Sequence, residues 1–240
     1  MRINGQERMT FESGMVYDES SQEIIRKSFL LLSLTVLFSA IAAAMPLFGL
    51  LPMPRFMFSI GGFILSMVLS FALIYMIRVS AHQPDRAILW TFALTGFTGY
   101  TMAPAMAFYL GAFANGGVLI LAALTATGLT FLGLALYASY SGRTFDSMRA
   151  MLGVGLLALI AASALGLIFG RHYIFEIILA GFSTILFSGY ILYEIGQLLR
   201  YANVNNYVEL TVQLYLSLTN LFLNMLRLMA AFGGSSRDQR

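Results

Sequence analysis

The chain has 240 residues, 59% of them hydrophobic and only 10% charged, with a mean hydropathy of +0.80. Soluble domains carry about 25% charged residues, so this composition excludes a water-soluble globule and points to a membrane protein. The net charge of +3 comes from basic residues set in short segments between apolar runs, which excludes a phosphate-tracking patch and nucleic acid as a partner.

In chain order, residues 1–27 are polar and carry Glu7, Arg8, Glu12, Asp18, Glu19 and Glu23 before any apolar run. That pattern is not a signal peptide; it predicts a cytoplasmic N-terminal tail without fixed secondary structure. Apolar runs long enough to cross about 30 Å of hydrocarbon follow at residues 28–50, 56–77, 87–110, 117–139, 150–170, 174–199 and 209–232. They lack the ten-residue alternation of a membrane barrel, so the predicted fold is all-α: a polytopic membrane protein with seven transmembrane helices over 28–232 and a short tail over 233–240. The breaks read "LPMPR", "AHQPDR", "GAFANGG", "YSGRTFD" and "YANVNN", and only the "GRH" break at Arg171 is thin. Pro104 lies deep in the third run, where it frees a carbonyl and favours a kink. Glycines and small residues crowd the third to fifth runs, as in "TATGLTFLG", and suit close helix packing.

Lysine and arginine give the orientation. The tail and the loops after the second, fourth and sixth runs hold Arg2, Arg8, Arg26, Lys27, Arg78, Arg86, Arg143, Arg149 and Arg200. The opposite side holds Arg55, Arg171, Arg227, Arg237 and Arg240, and this nine-to-five bias predicts a cytoplasmic N-terminus and a C-terminus across the membrane.

Ionisable residues inside spans are functional candidates because inserting them costs about 2.5–3.5 kcal/mol each. Glu176 and Glu209 lie at the starts of the sixth and seventh runs, within reach of headgroups or water. Glu194, in "LFSGYILYEIGQLLR", is deeper, six residues before Arg200 or about 9 Å of helix rise. Tyr190, Glu194, Gln197 and Tyr201 share one helix face, and Gln213, Ser217, Asn220, Asn224 and Arg227 form a matching stripe on the seventh run. An antiparallel pair joined by "YANVNN" brings Glu194 and Ser217 to similar depth. These polar groups either hold helices together by hydrogen bonds or, at Glu194, provide a site of proton exchange in low dielectric.

No enzyme is expected. Both histidines, His82 and His172, lie in loops, out of reach of an intramembrane serine nucleophile. The only lysine, Lys27, precedes the spans and cannot carry a retinal Schiff base. With no cysteine, and no His–carboxylate cluster at ligand spacing, neither a metal site nor a cofactor is predicted.

The stretches "IRKSFLLLSLTVLFSAIAAA", "TGFTGYTMAPAM", "LYASYSGRTFDSMRAMLGVGL", "FSGYILYEIGQLL" and "LYLSLTNLFLNMLRLM" are similar, in order and spacing, to those of the Bax inhibitor-1 family. The resemblance covers nearly the whole chain and implies a bundle with the seventh helix central. The serine of "LYLSLTNLF" and the terminal "SSRD" resemble the family's bacterial branch. This implies a multi-pass protein of the bacterial inner membrane that binds and modulates a membrane-anchored AAA protease of the FtsH type in membrane-protein quality control. The family also implies a pH-regulated calcium leak through paired aspartates, which by motif fall on Glu194 and Ser217. Here the sequence departs: the second acid is a serine. A carboxylate pair shares a proton and titrates as a unit, whereas a lone Glu has no like-charge partner and a divalent ion loses one hard anionic ligand. The lipid bilayer, the protease and a calcium ion or proton are thus the expected partners; in the leak reading Glu194 titrates, Ser217, Gln213, Asn220 and Asn224 line the route, and Tyr190 and Gln197 complete the polar lining of the sixth and seventh helices.

Overall fold

A computed structural model describes residues 19–170 and 172–234. The first 18 residues of the expected tail, Arg171 and residues 235–240 lie outside the described residues. Seven α-helices follow one another: α1 (Glu19–Leu47), α2 (Ile60–Val79), α3 (Pro84–Ala112), α4 (Gly116–Tyr140), α5 (Met148–Phe169), α6 (Tyr173–Tyr201) and α7 (Tyr207–Gly233), with a 3-10 turn (Arg55–Phe58) before α2. Local chemistry sets their ends. Ser59 caps α2 by accepting from the Gly62 amide at 3.2 Å, Pro84 starts α3 where its missing N–H costs nothing, and Gly170 closes α5 at φ +88°. That left-handed turn separates α5 from α6, where the sequence break is thin.

A membrane interior leaves no water for stray polar groups, and the hydroxyls within the helices answer this locally. Ser28, Thr91, Thr127, Ser183 and Thr211 each donate to the carbonyl four residues earlier, at 2.7–2.9 Å. The outer surface is correspondingly apolar: Phe63, Val68 and Phe71 of α2 and Val154 and Leu157 of α5 are exposed. Among the described residues six helices are long and apolar enough to cross a membrane, namely Gln22–Leu47, Ile60–Val79, Gly116–Tyr140, Met148–Gly166, Tyr173–Tyr201 and Tyr207–Gly233. The sequence pattern predicts seven, and α3 is the helix that falls short. It spends its length on Thr91, Thr95, Thr98, Thr101, Gly96 and Gly99 rather than on large aliphatic side chains. It also turns a buried face inward through Leu94, Thr95, Gly99, Ala103 and Met106. The helix continues through Pro104 without interruption.

The buried side chains form three clusters, and α7 is the one helix that contributes buried members to all of them: Leu214, Tyr215 and Leu221; Tyr207, Val208 and Val212; Phe222 and Leu226. It packs against α1, α2, α3, α4 and α6, while α5 packs on α6. The α1–α3 crossing is closest at Gly99, where an added Cβ would run into the backbone carbonyl of Ser39.

A methyl group at Gly99 must therefore push two backbones apart. Gly99→Ala is expected to destabilise the protein by about 1–3 kcal/mol, read as a lower thermal midpoint in mild detergent. Gly111→Ala, on the same helix with open space around the new Cβ, should leave that midpoint unchanged or slightly raised.

Candidate functional site: a buried carboxyl group between two helices

The α6–α7 connection is pinned by asparagines. Asn203 N donates to Asn206 Oδ1 at 2.7 Å, Asn205 N to Asn203 Oδ1 at 2.9 Å, and Asn206 Nδ2 to the Tyr201 carbonyl at 2.9 Å. This tight turn sends α7 back along α6. Glu194 and Ser217 meet across the pair, with Ser217 Oγ donating to Glu194 Oε1 at 2.8 Å. Each is only 5% exposed, and the same helix segments bury Ile191, Ile195, Leu198, Leu214 and Leu221. The second carboxyl oxygen, Glu194 Oε2, is buried with no hydrogen-bond partner. An unmet buried polar atom of this kind costs on the order of 1–3 kcal/mol, so the fold carries this group at a thermodynamic penalty.

The other members of the two polar stripes go elsewhere. Gln197 Nε2 donates to Asp146 Oδ1, and the Tyr201 hydroxyl to Asp146 Oδ2 at 2.9 Å. Arg200 donates through Nη2 to the carbonyls of Gly142 at 2.7 Å and Arg143 at 2.8 Å, so the end of α6 holds the α4–α5 loop. Tyr190 is half-buried beside Phe187, ring centroids 6.0 Å apart. On α7, Gln213 reaches back to Glu209 at 3.4 Å. Asn220 Nδ2 donates to the Leu216 carbonyl and Asn224 Nδ2 to the Asn220 carbonyl, both at 2.8 Å, while Arg227 sits 3.5 Å from Asn224 Oδ1. The α7 amides thus bond along their own helix, and of the residues singled out in the sequence only Glu194 and Ser217 bond to each other between α6 and α7.

Three participants escape a reading of spans alone. Asp146 lies in "YSGRTFD", which reads as a break. Arg78 at the end of α2 pairs with Glu209 at 2.9 Å, fixing α2 to α7 at the membrane edge. Tyr215, 1% exposed, donates to Ser39 Oγ at 2.8 Å, with the Thr95 carbonyl 3.4 Å away, and so joins α7, α1 and α3. Its signal in the sequence is a phenol on the buried side of an otherwise leucine-rich face, which needs a partner. Among the described residues no three His, Cys, Asp or Glu side chains come together as a metal site.

Apolar exterior, self-satisfied backbone and a carboxyl group buried between helices define a multi-pass helical membrane protein. Residues 21–234 match the family described as "Inhibitor of apoptosis-promoting Bax1", and the chain belongs to the Bax inhibitor-1 family. It is 31% identical to the modulator of FtsH protease YccA of Escherichia coli K12, over 91% of this chain and 93% of that protein. The inner membrane protein YccA of E. coli O6:H1 gives the same figures. Protein lifeguard 4 of mouse is 30% identical over 86% of this chain and 84% of its own.

Ser217→Ala removes the one hydrogen bond that Glu194 accepts and is expected to lower stability by about 1–3 kcal/mol. In a Glu194→Leu background the same change should cost much less, since no carboxyl oxygen is left stranded. A double-mutant cycle of thermal midpoints in detergent measures the coupling. Additive midpoints would mean that the pair contributes nothing to stability.

Proposed function

We propose that this chain is a non-enzymatic regulator in a bacterial inner membrane, which spans it seven times with α7 at the centre of the bundle and binds and moderates a membrane-anchored AAA protease of the FtsH type. The observation behind this reading is the similarity to the modulator of FtsH protease YccA, which runs through nearly the full length of both chains rather than one segment. The packing of α7 is consistent with it: its buried residues reach all three core clusters. The distribution of arginine favours a cytoplasmic N-terminal segment, which is the part such a protease would grasp.

Affinity purification of the tagged full chain in mild detergent should bring the protease down with it, and overproduction of the chain should lengthen the half-life of the protease's membrane substrates. Deleting residues 2–18, which leaves α1 whole, should weaken both effects. If the full chain neither retains the protease nor alters substrate half-life, this function is wrong.

A pH-regulated calcium leak has less behind it. The amides that would line a route, Asn220 and Asn224, are committed to carbonyls of their own helix, and Glu194 has a serine rather than a second acid facing it. Calcium flux into liposomes is therefore expected to be the same for the parent and Glu194→Gln between about pH 5 and about pH 8. A flux that the substitution abolishes would restore the leak.

A further inference from the structure

One cavity of the bundle lies away from the α6–α7 site. A slot of about 360 Å³ runs between α1 and α4 with α3 and α7 as its floor. Small side chains make the space: Ala40, Ala43 and Ala44 on the α1 wall face Thr127 and Gly128 on the α4 wall. Gly128 is exposed, and a Cβ built on it would meet nothing within 4 Å.

We propose that this slot is a binding site for one acyl chain of a bilayer phospholipid. Four features of the slot point to that occupant. Its mouth is flanked by side chains on the lipid-facing surface, Leu37 and Ile41 on α1 and Leu121 and Leu132 on α4, so hydrocarbon tails are what meets the opening.

Its walls ask for nothing polar. The Tyr215 hydroxyl is already bonded to Ser39 Oγ and the Thr127 hydroxyl to the Ala123 carbonyl, while Met102, Met106, Ile120 and Phe222 supply apolar surface.

Its length also fits. From Val36 to Leu47 along α1, and from Ile120 to Phe131 along α4, the walls extend about 16 Å at 1.5 Å per residue. One leaflet of a hydrocarbon core about 30 Å thick has a depth of about 15 Å. The C-terminal ends of α1 and α3 and the N-terminal part of α4 share one end of the slot, so one tail entering from that side can lie along it.

Finally, its shape suits a thin chain. The walls α1 and α4 are both packed on α3 and α7, and a helix about 10 Å wide would have to part them. A single flexible chain can enter without displacing α1 from α3. Binding there would replace missing side-chain contacts between α1 and α4 by contacts with the tail, which are individually weak and sum along its length.

The test uses the full chain reconstituted in phosphatidylethanolamine–phosphatidylglycerol vesicles and extracted in mild detergent for native mass spectrometry. One retained phospholipid per chain is expected. Gly128→Leu and, separately, Ala43→Phe fill the slot from opposite walls and should reduce retention about tenfold, the loss that goes with one well-buried apolar side chain's worth of contact. Leu121→Phe on the outer surface should leave retention unchanged. In the unaltered chain, a phospholipid carrying a photoactivatable diazirine on its acyl chain should label Met106, which is buried beneath the slot. Equal retention in slot and surface variants, labelling confined to the outer faces of α1 and α4, or retention of added oleic acid in place of phospholipid would each overturn the proposal.

Discussion

The packing of this molecule depends on one helix, α7, which carries buried side chains into all three core clusters. Of the six helices fit to cross a membrane, α7 is the least apolar and the most buried. Its glutamine, serine and asparagines would each leave hydrogen-bonding groups in hydrocarbon if the helix lay at the surface. Packing covers much of it, and α1, α2, α3, α4 and α6 all pack against it. In return they receive anchoring points at different depths: an ion pair with Arg78, a phenol bonded to Ser39, and a serine bonded to Glu194. The apolar outer faces of α2 and α5 need no such polar ties, because lipid solvates them.

The Glu194–Ser217 contact is an economical solution that stays incomplete. A carboxyl group has two oxygens to satisfy, and the hydroxyl opposite meets one. A second acid at position 217 would bring like-charge repulsion and a shared proton; the serine brings neither and acts as a donor. The site is thereby better suited to holding two helices in register than to gripping a divalent cation, which seeks six to eight oxygen ligands. Family membership alone does not decide this point, since it turns on a single side chain.

Most of the architecture was legible from hydropathy because lipid enforces a simple rule, long apolar helices between polar breaks. The runs at 117–139 and 209–232 fall within α4 and α7, and the depth of Glu194 and Ser217 followed from counting residues back from the "YANVNN" turn. Hydropathy is least decisive for α3, where threonines and glycines take the place of the aliphatic side chains of the other helices, and Gly99 lets α1 approach. The α1 boundary also differed, the helix starting at Glu19 because acidic residues are no obstacle to a helix that begins in water. Face membership misled on Gln197 and Tyr201. Periodicity places them beside Glu194, but a short step toward the helix end puts them within reach of Asp146. Asp146 itself was invisible because a loop carboxylate has no period to betray its partner, and the slot between α1 and α4 is a property of side-chain volumes on two distant segments.

The grip of Arg200, Gln197 and Tyr201 on residues 142–146 has a mechanical side. Since α5 packs on α6 and the loop leading into α5 is tied to the other end of α6, these parts form a single lever with two arms and no slack between them. Any tilt of α6 would sweep α5 and its lipid-facing Val154 and Leu157 through the surrounding bilayer.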